Sequence, residues 1–309
     1  MTRALPWQRA HDAIHRHTAH LPPTARGLLW SAAAGLTFSV LNALMRALAL
    51  NMDPFQAQFL RYLFGLLVLL PLVARSRNLA HWWPKSVRGQ FTRGALHTAG
   101  LVLWFWALTR IPLADTTAIG FTGPLFIMVG AWLFFKEPMH WERWVAVGLG
   151  FAGVLIVVGP KLSIGHGGGG LWHLVMLGSA PLFAASFLVT KALTRYETAG
   201  TILLWQAITV TLLSLPLALP GWQAPTPWQW AGFLACGVLG SAGHYCLTRS
   251  YQVADISATQ SAKFLDLLWS ALMGWLLFAD LPTASTLLGG LIIAAATLWL
   301  ARREAKRPA

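Results

Sequence analysis

Charge is scarce in this sequence. Of 309 residues only 11% are Asp, Glu, Lys or Arg, against about a quarter in an ordinary globular protein. Apolar residues make up 56%. With a mean hydropathy of +0.57, too little polar surface exists to cover a water-soluble particle. This argues against soluble enzymes and disordered binders. Cysteine is nearly absent: Cys236 and Cys246 stand ten residues apart in one apolar segment. On a helix that is about 15 Å along the axis, too far for a disulfide, so no disulfide scaffold and no cysteine metal site is expected. No G-x-x-x-x-G-K-[ST] loop is present, which argues against an ATP-driven pump. Neither H-E-x-x-H nor G-x-S-x-G occurs. No cleavable signal peptide is expected, because 26 polar residues rich in Arg and His precede the first apolar run.

What the sequence does have is long charge-free blocks. Residues 116–135, 144–160, 199–222 and 281–301 contain no Asp, Glu, Lys or Arg. About 20 such residues cross a bilayer as a helix. The pattern predicts an all-α integral membrane fold with ten spans, at about 27–50, 55–75, 94–109, 114–135, 144–159, 171–190, 199–219, 229–248, 255–279 and 283–301. The segment 75–93 reads as the most polar interruption besides the tails. Alternating sides then separate 18 Lys and Arg from two, Arg110 and Lys161. That asymmetry places both basic tails in the cytoplasm of a cell inner (plasma) membrane protein. Trp82, Trp83, Trp141, Trp144, Trp222, Trp228 and Trp230 fall near span ends, as interfacial belts do.

The chain repeats itself. Gly130-Ala131-Trp132-Leu133-Phe134-Phe135-Lys136-Glu137-Pro138 matches Met273-Gly274-Trp275-Leu276-Leu277-Phe278-Ala279-Asp280-Leu281-Pro282, with one extra residue. Leu108-Thr109-Arg110 recurs as Leu247-Thr248-Arg249, and Ala114-Asp115 as Ala254-Asp255. Five spans per half is odd, so the halves have opposite orientation. Inverted repeats of this kind mark secondary transporters with a site near midplane. The expected organisation is a tail at 1–26, a first five-helix repeat at 27–160, a Gly-rich linker at 161–170, a second repeat at 171–302 and a tail at 303–309.

Several motifs carry this further into a resemblance. They are Leu41-Asn42-Ala43 followed by Arg46, Phe59-Leu60-Arg61-Tyr62-Leu63-Phe64-Gly65, and Pro112-Leu113-Ala114-Asp115-Thr116-Thr117-Ala118-Ile119. Pro124-Leu125-Phe126, Glu137, the run from Arg143 to Val154, His244-Tyr245 and the stretch 269–282 complete the set. Together they cover about 27–302, and the chain resembles the drug/metabolite transporter superfamily with two EamA-type domains. The resemblance implies ten helices, cytoplasmic termini and alternating access around a central cavity. Asp280 stands where the family usually has Glu, at the end of the ninth span.

Polar residues within spans must face protein or a wet cavity, because lipid penalises them. Ser31, Gly35, Ser39, Asn42 and Arg46 form one helical stripe in the first span. Asp255, Thr259, Lys263, Asp266 and Ser270 form another in the ninth. Gln58, Arg61 and Gly65 make a shorter stripe, as do Ser241, His244 and Thr248. Helix-to-helix hydrogen bonding is the alternative for the hydroxyls. Gly148-Leu149-Gly150-Phe151-Ala152-Gly153 has the G-x-G-x-x-G spacing but sits in an apolar block, so it reads as helix packing and not as a dinucleotide site. His11, His15, His17 and His20 read as a solvated tail. Pro124 and Pro181 interrupt helical spans and read as kinks or hinges.

The leading expectation is a secondary active transporter for a small polar metabolite, such as an amino acid or related compound. Arg46, Arg61 and Lys263 outnumber the one deeply placed acid, Asp266, which favours a carboxylate or other anionic group on the substrate. The candidate substrate-binding residues are Asn42, Arg46, Arg61, His244, Tyr245, Lys263, Asp266 and Trp269. Expected partners are the substrate, membrane lipid and protons as a candidate coupling ion at His244 or Asp266. A monomer and a homodimer both stay open. No cofactor, metal or nucleic-acid partner is expected, and no enzymatic activity. Alternatives are a broad-specificity drug/metabolite exporter and a membrane enzyme in which His97, His173 and His244 meet.

Overall fold

The computed structural model describes residues 21–49, 52–76, 78–108, 110, 119–158, 170–278 and 284–305. Among them are ten long helices and no strand. They are α1 (Pro23–Ala49), α2 (Pro54–Ala74), α3 (Val87–Leu108), α4 (Gly123–Phe135), α5 (Trp141–Val158), α6 (Gly170–Leu193), α7 (Ala199–Ala218), α8 (Pro227–Val253), α9 (Leu265–Phe278) and α10 (Ala284–Ala305). Short helical turns at Leu79–Trp82, Ser257–Thr259 and Gln260–Lys263 precede α3 and α9.

Helix starts carry their own sequence signals. The Asp53 carboxylate accepts from the Phe55 and Gln56 N–H groups at 2.9 and 3.1 Å, and Pro54 follows in the first turn. Thr226 and Gln229 form a reciprocal capping box at α8. Five helices are long and apolar enough to cross a membrane by length and composition: Pro23–Met45, Pro54–Ala74, Leu171–Leu193, Ala199–Ala218 and Ala284–Arg303. Outward faces stay apolar, as at Leu287, Leu291 and Leu298 of α10, all exposed on one side of the helix. Lipid, not water, suits such a face.

The packing obeys the repeat. α1 packs on α8 and α3 on α6; α8 packs on α2 and α3 on α7; α1 packs on α9 and α6 on α4. α2 meets α7 and α5 meets α10. Exchanging each helix with the one five places along converts each of the first six pairs into another of them and the last two pairs into themselves, as an inverted 5+5 architecture requires. The glycine motif of α5 is a packing surface. A Cβ on Gly150 would strike the Phe264 ring, and one on Gly153 would strike Ile293 and the Gly289 carbonyl of α10.

Three span expectations need correction. The third helix begins at Val87, so Arg93 lies inside it and is buried instead of sitting in a polar loop. Pro124 occupies the first turn of α4, where its missing N–H costs nothing; the span is interrupted just before it, by a turn at 121–122 after helical residues 119–120, and not by a kink within one helix. Pro181 does lie within α6. The ninth segment is broken, with two short turns before α9, so the stripe from Asp255 to Ser270 is not one straight helical face.

The break follows from side chains of other elements. The Glu137 carboxylate accepts from the Ile256 and Ser257 N–H groups (3.1 and 3.0 Å) and from the Ser257 hydroxyl (2.6 Å). Arg143 donates to Ser257 Oγ at 2.8 Å and pairs with Asp255 at 3.1 Å. The Lys191 ammonium donates to the Tyr251 and Ala254 carbonyls at 2.7 and 2.6 Å, closing the end of α8. The Arg- and Lys-rich end of the bundle is thus tied between the two halves by charged groups. At the opposite end the ties are neutral: Gln56 exchanges hydrogen bonds with the Gln223 backbone, and Gln229 donates to the Leu48 carbonyl.

Candidate functional site

Two polar clusters occupy the bundle interior. The first is built on α2, α3, α7 and α8. Its centre is the Tyr62 hydroxyl, which meets His97 Nε2 at 2.8 Å and His244 Nε2 at 3.2 Å. A phenol carries one proton, so it donates to one imidazole and accepts from the other. The Gln206 amide approaches Tyr62 and His244 at 3.4–3.5 Å. Its oxygen is held by Arg93, whose guanidinium also reaches Thr190 Oγ1 and, at 3.1 Å, the Ile202 carbonyl. Arg93 is 3% exposed, and its partners are all neutral.

Arg61 stands beside this cluster, half-buried, one residue before Tyr62. Its contacts are a long hydrogen bond to Gln58 (3.5 Å) and the Tyr62 ring, 5.2 Å away. Arg61 of α2 and Gln206 of α7 come from two helices that pack on each other, and both reach the same pocket. Arg61, Tyr62, Gly65, Gln206, Ser241 and His244 line a cavity of about 20 Å³, enough for about one water.

The second cluster lies on the α9 side of α1. Lys263 Nζ donates to Asp266 Oδ2 at 3.0 Å. Asp266 packs directly on Gly35, and Trp269 lies beside it. Only glycine leaves room there, because a Cβ on residue 35 would overlap the carboxylate. Asp266 Oδ1, Trp269 Nε1 and the buried Ser31 hydroxyl have no hydrogen-bond partner among the described residues. Unpaired buried polar atoms are costly, and two of them at one ion pair, with Ser31 one turn before Gly35 on α1, make this a place where a ligand with donors and acceptors is favoured.

The eight expected site residues therefore separate. Arg61 and His244 share the first cluster; Lys263, Asp266 and Trp269 share the second. Asn42 is exposed on α1. Tyr245 turns toward α1, its ring edge-on to Trp30 at 6.3 Å. The Arg46 side chain lies outside the described residues, as do Asp280 and the N-terminal histidines. Sequence reasoning missed Tyr62, Gln206 and Arg93 as members. Tyr62 was adjacent to a chosen residue, and Gln206 was the largest polar side chain of a charge-free block. His97 and His244 do meet, with ring centroids 5.9 Å apart. No set of three or more His, Cys, Asp or Glu among the described residues is arranged to hold a metal.

Comparison with known proteins agrees with this architecture. The model of the EamA-like transporter family matches residues 25–159 and 170–302. The chain is 34% identical over 284 residues to the riboflavin transporter of Rhizobium johnstonii, covering 91% of this chain and 92% of that one. It is 27% identical over 288 residues to the S-adenosylmethionine uptake transporter of Rickettsia prowazekii, covering 91% and 94%. It is 28% identical over 284 residues to the pseudopaline exporter CntI of Pseudomonas aeruginosa, covering 90% and 96%. One crystal structure superposes with a TM-score of 0.78 over 91% of this chain and 99% of that chain, at 17% identity, a likeness of fold alone. Two matched repeats, ten helices paired by an inverted symmetry and polar clusters buried between apolar faces lead to one conclusion: this chain belongs to the EamA-like transporter family, a family of membrane transporters and not of enzymes.

Proposed function

We propose that this protein is a secondary active transporter of the cell inner membrane, moving a small polar metabolite with an anionic or acceptor-rich group. The repeats 27–160 and 171–302 are the two bodies that rock about the site in alternating access, and both termini are cytoplasmic. One observation carries the substrate reading. The guanidiniums of Arg61 and Arg93 flank the Tyr62–Gln206–His244 pocket, and neither pairs with a carboxylate among the described residues. Positive charge left without a counter-charge in a low-dielectric interior favours an anion as its partner. Arg61, His244, Lys263, Asp266 and Trp269 are the residues that meet the substrate.

Proton coupling is part of the proposal, at Asp266. A substrate carboxylate competing for Lys263 frees Asp266 to take a proton, and that exchange links flux to pH. A second reading, a broad-specificity exporter, is supported by the spread of the relatives: one is named for uptake and another for export. A thermal-shift screen of purified protein against riboflavin, S-adenosylmethionine and a set of amino and carboxylic acids, followed by flux into proteoliposomes, tests both. Saturable flux of one or a few anionic or zwitterionic compounds supports the first reading. Comparable flux of many unrelated compounds supports the second, and no flux of any compound overturns both.

A further inference from the structure

The two polar clusters meet at a single side chain, Phe38 of α1. Its ring stands edge-on to His244 of the first cluster, with centroids 4.9 Å apart at 71°. The Lys263 ammonium of the second cluster lies over the same ring, 5.8 Å from its centroid. Phe38 has nothing to hydrogen-bond with, so neither cluster holds it by a polar contact. The ring packs against apolar core side chains on both sides, and the room for it on α8 is left by Gly243, immediately before His244. A Cβ built there would come within 3.0 Å of three carbons of the Phe38 ring. α1 and α8 form one of the main helix pairs of the fold, and the ring fills the notch that this glycine leaves between them.

From this placement we propose that Phe38 is the partition of the transport route. Seated in the Gly243 notch, it divides the Arg61–His244 pocket from the Lys263–Asp266 pair. Swung out, it joins them into one chamber with cations at both ends. The inference rests on the transport reading above, because a joined chamber matters only if something passes through it. Gly243 is then a positioning residue: it touches no polar group of either cluster and acts only by leaving room for the ring. One χ1 rotation of a single side chain is sufficient to open or close the partition.

The test reads the partition without any substrate, so a failed substrate screen does not disturb it. In a Cys236→Ser/Cys246→Ser background, Ser241→Cys reports the first pocket. Lys263→Cys, made with Asp266→Asn to leave no lone charge, reports the second cluster. A small impermeant cationic methanethiosulfonate is applied to intact cells and to inverted vesicles, and the face from which it labels Ser241→Cys is noted. From that face the account predicts slow labelling of Lys263→Cys with Phe38 in place, and an acceleration of about tenfold or more in Phe38→Ala, as expected when a minor open state becomes the major one. Gly243→Ala must accelerate it as well, by pushing the ring out. Phe38→Leu combined with Gly243→Ala must restore slow labelling, because the smaller side chain fits the filled notch. Thermal unfolding of each variant reports whether it folds, and the unfolding data carry their own arm: Gly243→Ala must be less costly with Leu than with Phe at position 38. Equal labelling of Lys263→Cys with Phe and with Ala at position 38, or additive stability losses at positions 38 and 243, overturns the partition.

Discussion

Neutralising Lys263 alone leaves Asp266 inside the bundle without its counter-charge. The pair spans 3.0 Å, and the two side chains are 18% and 26% exposed. Breaking a fully buried pair by removing one partner costs about 3–5 kcal/mol; partial exposure lowers that to about 2–3 kcal/mol by solvent screening. Asp266 also keeps an oxygen, Oδ1, that has no donor among the described residues, and Gly35 presses against it. The carboxylate therefore has little room to turn toward a substitute partner. Lys263→Ala and Asp266→Ala are each expected to lower the melting temperature in detergent by about 5–10 °C, taking roughly 2–4 °C per kcal/mol for a chain of this size class. The double variant removes both charges and is expected to recover most of the loss. Intrinsic tryptophan fluorescence on heating measures all three. A double variant as unstable as the sum of the singles refutes the coupling of the pair. In proteoliposomes the folded double variant is expected to transport without the wild-type dependence on pH; an unchanged pH profile removes Asp266 as the proton site.

Three further perturbations have stated outcomes. Glu137→Ala leaves the Ile256 and Ser257 N–H groups without their acceptor, at a cost of about 2–4 kcal/mol, and amide hydrogen exchange at 256–257 is expected to rise more than in the core of α8. Arg93→Lys replaces a planar fork that serves Thr190, Ile202 and Gln206 with one ammonium; a loss of about 1–3 kcal/mol in thermal unfolding is expected, and wild-type stability contradicts the role given to that network. Cysteines at positions 88 and 168, treated with an impermeant thiol reagent on intact cells, are expected to label at 168 only, and the reverse pattern overturns the orientation.

Much of the fold was legible because the membrane imposes a strong rule on composition. Charge-free blocks marked the spans, and the motif at 130–138 and its partner at 273–282 marked the repeat. Lys263 and Asp266, three residues apart, were readable as a pair, since that spacing survives the break before α9. The break itself was not readable. No Gly or Pro lies between 255 and 273; the chain bends because Glu137, Arg143 and Lys191, distant in sequence, take its backbone and hydroxyl groups. Arg93 misled for a related reason. An arginine beside polar residues looks like loop, and only Thr190, Ile202 and Gln206, contributed by α6 and α7, make its burial tolerable. Tyr62 escaped notice because a tyrosine in an apolar helix is ordinary until its hydroxyl is found between two imidazoles. Polar partners brought in by tertiary packing leave no periodic trace in the sequence.

The central claim is that substrate meets the uncompensated guanidinium of Arg61 beside the Tyr62–His244 pocket. It is tested most directly by initial flux of the screened substrate into proteoliposomes containing wild type, Arg61→Lys or Arg61→Ala, at matched amounts of folded protein. The account predicts a fall of about tenfold or more in Arg61→Lys, which keeps the charge and loses the fork, and a larger fall in Arg61→Ala. Wild-type flux in both variants contradicts it.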